Sequence, residues 1–97
     1  MQHIINQVFE IENKIKETDK ALFTRNFERL YHEFEQEGFM VINPLGQRYD
    51  ERDVAIEANI LNENGSDLKI TKVLKPTIYK QEGAHRALVQ KAVVIVE

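Results

Sequence analysis

Three histidines, His3, His32 and His85, are the first side chains to test for acid–base or metal chemistry. They fall at the start of one helical segment, inside a second and in a loop. None has a second His or a Cys at a metal-ligand spacing, so no metal site is expected, and lone imidazoles of this kind read as solvated or locally bonded. Ser66 is the only serine. It sits in the turn cluster Asn62-Glu63-Asn64-Gly65-Ser66 without a nucleophile elbow around it, which argues against a Ser-His-Asp site. Asp50, Glu51, Asp53 and Glu57 raise the question of calcium. An EF-hand counted from Asp50 needs Gly sixth and Glu twelfth, and this chain has Ala55 and Leu61 there. Asn43-Pro44-Leu45-Gly46 is a turn and not a glycine-rich phosphate cradle. Lys69, Lys72 and Lys75 fall in a strand and read as a solvated edge that discourages strand-to-strand association. These side chains point to a binding module that needs no cofactor, rather than to an enzyme.

Composition narrows the partners. The 97 residues carry a formal charge of −3. Residues 1–38 hold eight acidic side chains against five basic, and residues 39–97 hold eight of each. Neither part is basic enough to grip a phosphate backbone, so no nucleic acid is expected. An acidic N-terminal half also argues against a membrane-surface helix. No apolar run approaches the roughly 20 residues of a bilayer span. The start, Met1-Gln2-His3-Ile4-Ile5, lacks the basic region of a signal peptide. Cysteine is absent, so no disulfide framework is expected. A cytoplasmic protein is the default expectation.

Two elements must carry whatever surface does the binding. Ile4, Val8, Ile11 and Ile15 recur at 4-3-4 spacing, widened by Ile5 and Phe9. Phe23, Phe27, Leu30 and Phe34 repeat that spacing, with Leu22 and Tyr31 beside it. Each set makes an apolar stripe on one helical face. The break at Thr18-Asp19 offers a cap, which predicts helices over 2–17 and 20–37, with one stuttered helix as the alternative. Gly38 suits the position after the helix, where a left-handed φ is common. These eight stripe residues are the candidate dimerisation seam of a four-helix bundle built from two hairpins. The alternative is that both stripes cover the sheet of their own chain.

Residues 39–97 read as a small β-domain. Phe39-Met40-Val41-Ile42 is a short apolar run closed by Pro44. Residues 54–60 alternate, and 68–73 reads as their return strand through an Asn64-Gly65 hairpin turn. Thr77-Ile78-Tyr79-Lys80 is a short piece and 81–85 a loop. Arg86 to Val96 is so apolar that it reads as one last strand, buried on both faces or packed against another element. The fold class is α+β, with a helical segment at 1–38 followed by a mostly antiparallel β-domain at 39–97.

Four stretches in order resemble the GrpE family, the nucleotide exchange factors of DnaK-type chaperones. Asn26 to Phe39 resembles the family's last bundle helix and its glycine exit. Ile42-Asn43-Pro44-Leu45-Gly46-Gln47-Arg48-Tyr49-Asp50 resembles its Ile-x-Pro-x-Gly-x-x-Phe-Asp-Pro lead-in to the β-domain. Lys72-Val73-Leu74-Lys75-Pro76-Thr77-Ile78-Tyr79 is similar to its Glu-Val-Leu-Gln-x-Gly-Tyr stretch. Arg86 to Val96 is similar to its closing Arg-Val-Leu-Arg-Pro-Ala-x-Val-x-Val strand, with the second arginine falling at Gln90 or Lys91. Residues 4–15 resemble the end of the family's long N-terminal helix, which implies a short form of it. Glu51 stands where the family has proline. The resemblance implies a homodimeric co-chaperone of the stress response that binds a DnaK-type ATPase domain and promotes ADP release. It places Gly38, Leu45, Tyr49, Arg86 and Lys91 at or near that contact. A GrpE-like dimeric adaptor without exchange activity is the alternative.

Overall fold

A computed structural model describes residues 1–61 and 67–97. Helix α1 spans Gln2–Lys14 and helix α2 spans Lys20–Gln36. Between them Ile15 turns extended, at φ −70° and ψ 134°, and a single 3-10 turn covers Glu17–Asp19. The two-helix reading therefore holds over the stuttered single helix. Six strands follow: β1 (Phe39–Ile42), β2 (Ile56–Ile60), β3 (Ile70–Lys75), β4 (Thr77–Glu82), β5 (His85–Gln90) and β6 (Ala92–Val96).

The strands form two three-stranded sheets, ordered β1-β4-β5 and β2-β6-β3. The first is antiparallel throughout. The second is mixed, because β2 runs parallel to β6 while β3 runs antiparallel to it. Three expectations are corrected here. The segments around 54–60 and 68–73 are not hairpin neighbours, since β6 lies between them. The reason is composition: every residue of Ala92–Val96 is apolar, and Ala92, Val94 and Val96 are fully buried. Such a strand belongs in the middle of a sheet. The Asn64-Gly65 turn itself lies outside the described residues.

The run 86–96 is two strands in two sheets, not one. The polar pair Gln90-Lys91 interrupts it, and the buried Gln90 side chain donates to the Pro76 carbonyl at 2.8 Å just where the chain changes sheet. Residues 81–85 are also no loop. Strand β4 continues to Glu82 and turns through Gly83, at φ +60°, directly into β5.

Two cores result. Ile5, Phe34 and Ile78 form one, with Val8, Tyr31, Phe39 and Val41 packed on it. Phe9 joins Ile70, Val73, Ala92, Val94 and Val96 in the other. Ile5 and Phe9 are one turn apart on α1, so this helix seals one core with each residue. The part of the stripes nearest Ile5, Phe9 and Phe34 thus covers the chain's own sheets.

Candidate functional site

The helices cover one face of the β1-β4-β5 sheet and leave the other open. Phe39, Val41 and Ile78 face the helices. Strand alternation then turns Met40 and Tyr79 to the opposite face. Met40 pairs with Tyr79, and Tyr79 with Leu88, so the three stand in one row across three strands. Met40 and Leu88 keep 40% and 38% of their surface exposed.

Arg86 crosses this row. It lies two residues before Leu88 on β5, and so on the same face. Its guanidinium carbon is 5.2 Å from the Tyr79 ring centroid. Its Nη1 donates to Met40 Sδ at 2.9 Å. The side chain therefore reaches from β5 over β4 to β1. An aromatic face attracts a guanidinium and fixes its plane, while its remaining donors have no hydrogen-bond partner among the described residues.

Gly38 borders the same surface. It has φ +88° at the end of α2, a conformation that L side chains rarely adopt. A Cβ there would lie 3.2 Å from Lys80 Nζ. That ammonium donates to the Glu37 carbonyl at 2.6 Å and lies 4.3 Å from the Phe39 ring centroid. Lys80 thus caps the negative end of α2 and closes the helix exit against β4. Gly38, Met40, Tyr79 and Arg86 line one shallow depression of about 420 Å³.

The other candidate positions lie elsewhere. Leu45 is 56% exposed at the tip of a turn. Asn43 Oδ1 accepts from the Leu45 N–H at 3.1 Å, Gln47 N–H donates to the Pro44 carbonyl at 3.1 Å, and Gly46 has φ +83°. These are the marks of a type II turn behind an Asx cap. Leu45 borders a separate groove between the helices. Tyr49 is half-buried against the second core, and its N–H donates to the Leu68 carbonyl at 2.8 Å. Lys91 is exposed at the crossing between sheets, whereas Gln90 is 9% exposed. The structure brings together Gly38 and Arg86, and leaves Leu45, Tyr49 and Lys91 apart from that depression.

The dimerisation candidates also divide. Ile4, Ile11, Phe23 and Leu30 are exposed, at 57%, 53%, 41% and 39%. Val8, Ile15 and Phe27 are half-buried. Phe34 is 4% exposed against Ile5 and Ile78, so it is core of this chain and closed to a partner. The three histidines are all exposed. Among the described residues no group of His, Asp or Glu side chains is placed to hold a metal ion, and no helix is long and apolar enough to cross a membrane.

Sequence reasoning missed Met40, Tyr79 and Leu88. The alternation of Thr77-Ile78-Tyr79-Lys80-Gln81 and of Arg86-Ala87-Leu88 was the available signal, and it becomes readable only once the two stretches are recognised as a hairpin. Comparison with family models, with curated proteins and with solved structures returns no match.

Proposed function

We propose that this chain is a GrpE-like co-chaperone of the cytoplasm, an adenine nucleotide exchange factor that binds a DnaK-type ATPase domain and promotes ADP release. The reading rests on the sequence resemblance. The observation that supports it best is Arg86, laid over Tyr79 to Met40 beside Gly38. Two positions that the resemblance assigns to the contact, one from the helix exit and one from the closing strand, share one open surface. Met, Tyr and Arg are the residue types enriched in interface cores.

The mechanism needs no catalytic group. A partner that prefers the open nucleotide cleft raises the population of that state, which lowers the affinity for nucleotide by a fixed factor and speeds release. By linkage, nucleotide then weakens binding of this chain by the same factor. In this reading Arg86 is an anchor that pairs with a carboxylate on the ATPase domain. The exposed Ile4, Ile11, Phe23 and Leu30 supply the seam of a homodimer.

A dimeric adaptor without exchange activity is the second reading. It is favoured by Gln90, which is neutral, buried and bonded within its own chain, so the closing strand offers fewer cations than the family pattern. Calorimetric titration against a DnaK-type ATPase domain, with and without ADP, tests both readings. The exchange reading expects binding that ADP weakens. Binding indifferent to ADP favours the adaptor, and no binding removes the exchange reading.

A further inference from the structure

We propose that the groove between the helices and the Leu45 turn is a second docking site, and that it takes a basic amphipathic helix from a partner protein. The groove has a volume of about 630 Å³. Ile15, Phe27, Tyr31 and Leu45 give it an apolar lining. Leu45 is held out to solvent by its turn, so the lining includes a large, exposed apolar side chain on a hydrogen-bonded backbone. A turn backbone already ordered in this way loses little freedom on binding.

Charge selects the occupant. Three carboxylates, Glu12, Glu28 and Glu35, line the groove. None of them has an ion-pair partner among the described residues. Glu12 accepts a hydrogen bond from the Tyr31 hydroxyl at 2.8 Å, which fixes its position. The one ammonium in the groove, Lys20, is already 3.0 Å from Glu17. The site is therefore apolar inside and anionic around it, which attracts cations and repels acidic segments.

Geometry sets the form of the ligand. Glu28 and Glu35 are seven residues apart on α2, two turns, or roughly 10 Å along the axis. A helix lying along α2 with Lys or Arg at i and i+7 meets both carboxylates, and its Leu or Phe at intervening positions meets the lining. Glu35 also borders the Arg86 depression, so the two sites adjoin there without sharing their other residues. This proposal does not depend on the identity of the partner at Arg86.

The test uses the full chain and a fluorescein-labelled helical peptide of roughly 15 residues, matching the ~22 Å of α2 between Lys20 and Glu35. The peptide carries leucine anchors and lysines at i and i+7. The control carries glutamates in place of the lysines. Fluorescence anisotropy is expected to give saturable binding of the basic peptide that weakens with added salt, at least about tenfold tighter than the control. The double variant Glu28→Lys, Glu35→Lys, both exposed positions, is expected to keep its melting temperature and lose about tenfold or more in affinity. Leu45→Ala is expected to weaken binding several-fold with the charge intact. Equal binding of the two peptides, or no saturable binding below about 1 mM, overturns the proposal. So does binding that is lost as the protein is concentrated into a dimer, which would give the groove to a second copy.

Discussion

Asn6 and Gln90, 84 residues apart, face each other amide to amide: Asn6 Nδ2 donates to Gln90 Oε1 at 2.8 Å, and Gln90 Nε2 donates back to Asn6 Oδ1 at 2.9 Å. Gln90 Oε1 also accepts from Gln2 at 2.9 Å, and Gln90 Nε2 donates to the Pro76 carbonyl at 2.8 Å. All four hydrogen-bonding sites of this buried amide are used. The cluster ties α1 to two of the three places where the chain crosses between sheets, β3 to β4 and β5 to β6. Gln90→Leu leaves the Pro76 carbonyl and the Asn6 amide unpaired and is expected to cost about 2–3 kcal/mol. Adding Asn6→Leu should then cost clearly less than it does alone, because the partner is already gone. Urea denaturation of the two single variants and the double variant checks this. Strictly additive losses would contradict the cluster.

The two faces of α1 should respond differently to substitution. Phe9 is 2% exposed in the second core and Ile4 is 57% exposed. Phe9→Ala is expected to cost about 3–5 kcal/mol and Ile4→Ala well under 1 kcal/mol. Val94, fully buried in the same core as Phe9, should not tolerate Asp, since a buried unpaired charge costs several kcal/mol. A stable Val94→Asp protein would mean that β6 is not the centre of its sheet.

Much of the architecture was legible because local signals agree with the fold. The start of the second helix at Lys20, the stop at Gly38 and the short run Phe39–Ile42 appear where sequence places them, whereas α1 ends at Lys14 rather than 17 and Asp19 makes no side-chain cap hydrogen bond. The sheet order was not legible. Alternation in 56–60 and in the strand starting at Ile70 says that both are strands, but not that a segment over 20 residues later inserts between them. That outcome depends on long-range burial of Ala92, Val94 and Val96. Which side of α1 its own chain buries was not legible either. Its apolar stripe is wide enough to include both Ile4 and Ile5, and only the position of the sheets decides between them. At the candidate site Arg86 and Gly38 were visible from sequence, whereas the Tyr79 ring beneath Arg86 depended on the β4–β5 hairpin.

Alkaline pH should expose the bond between the helices. Burial, and then the hydrogen bond to Glu12, push the Tyr31 phenol well above its ordinary value of 10.0. The neutral phenol is the form the fold favours. Its contribution is therefore complete below about pH 10 and fades as pH rises toward the folded-state value. Absorbance titration is expected to show one of the three tyrosines ionising late, together with unfolding. Tyr31→Phe should remove that late step and cost about 1 kcal/mol at neutral pH. A late step that survives in Tyr31→Phe would assign it to another residue.

Self-association should depend on the exposed half of the stripes. Leu30→Asp puts a charge at a position 39% exposed in the single chain, so the fold should persist while the dimer dissociates. Sedimentation is expected to report dimers for the unmodified chain and monomers for the variant, with similar circular dichroism. An unmodified chain that stays monomeric at high micromolar concentration would remove the seam.

In the proposed function the Arg86 surface opens a chaperone's nucleotide cleft. Its most direct test is the rate of labelled ADP release from a DnaK-type ATPase domain, measured without this chain, with it, and with Arg86→Ala. The side chain lies on the surface against Tyr79 and Met40, so its removal should leave the melting temperature nearly unchanged. The account predicts faster release with the unmodified chain. It also predicts loss of roughly 1–3 kcal/mol of binding in Arg86→Ala, a fall of about 5- to 150-fold in affinity that returns release toward the unassisted rate. Release that stays at the unassisted rate with the unmodified chain, or acceleration that survives Arg86→Ala in full, would contradict it.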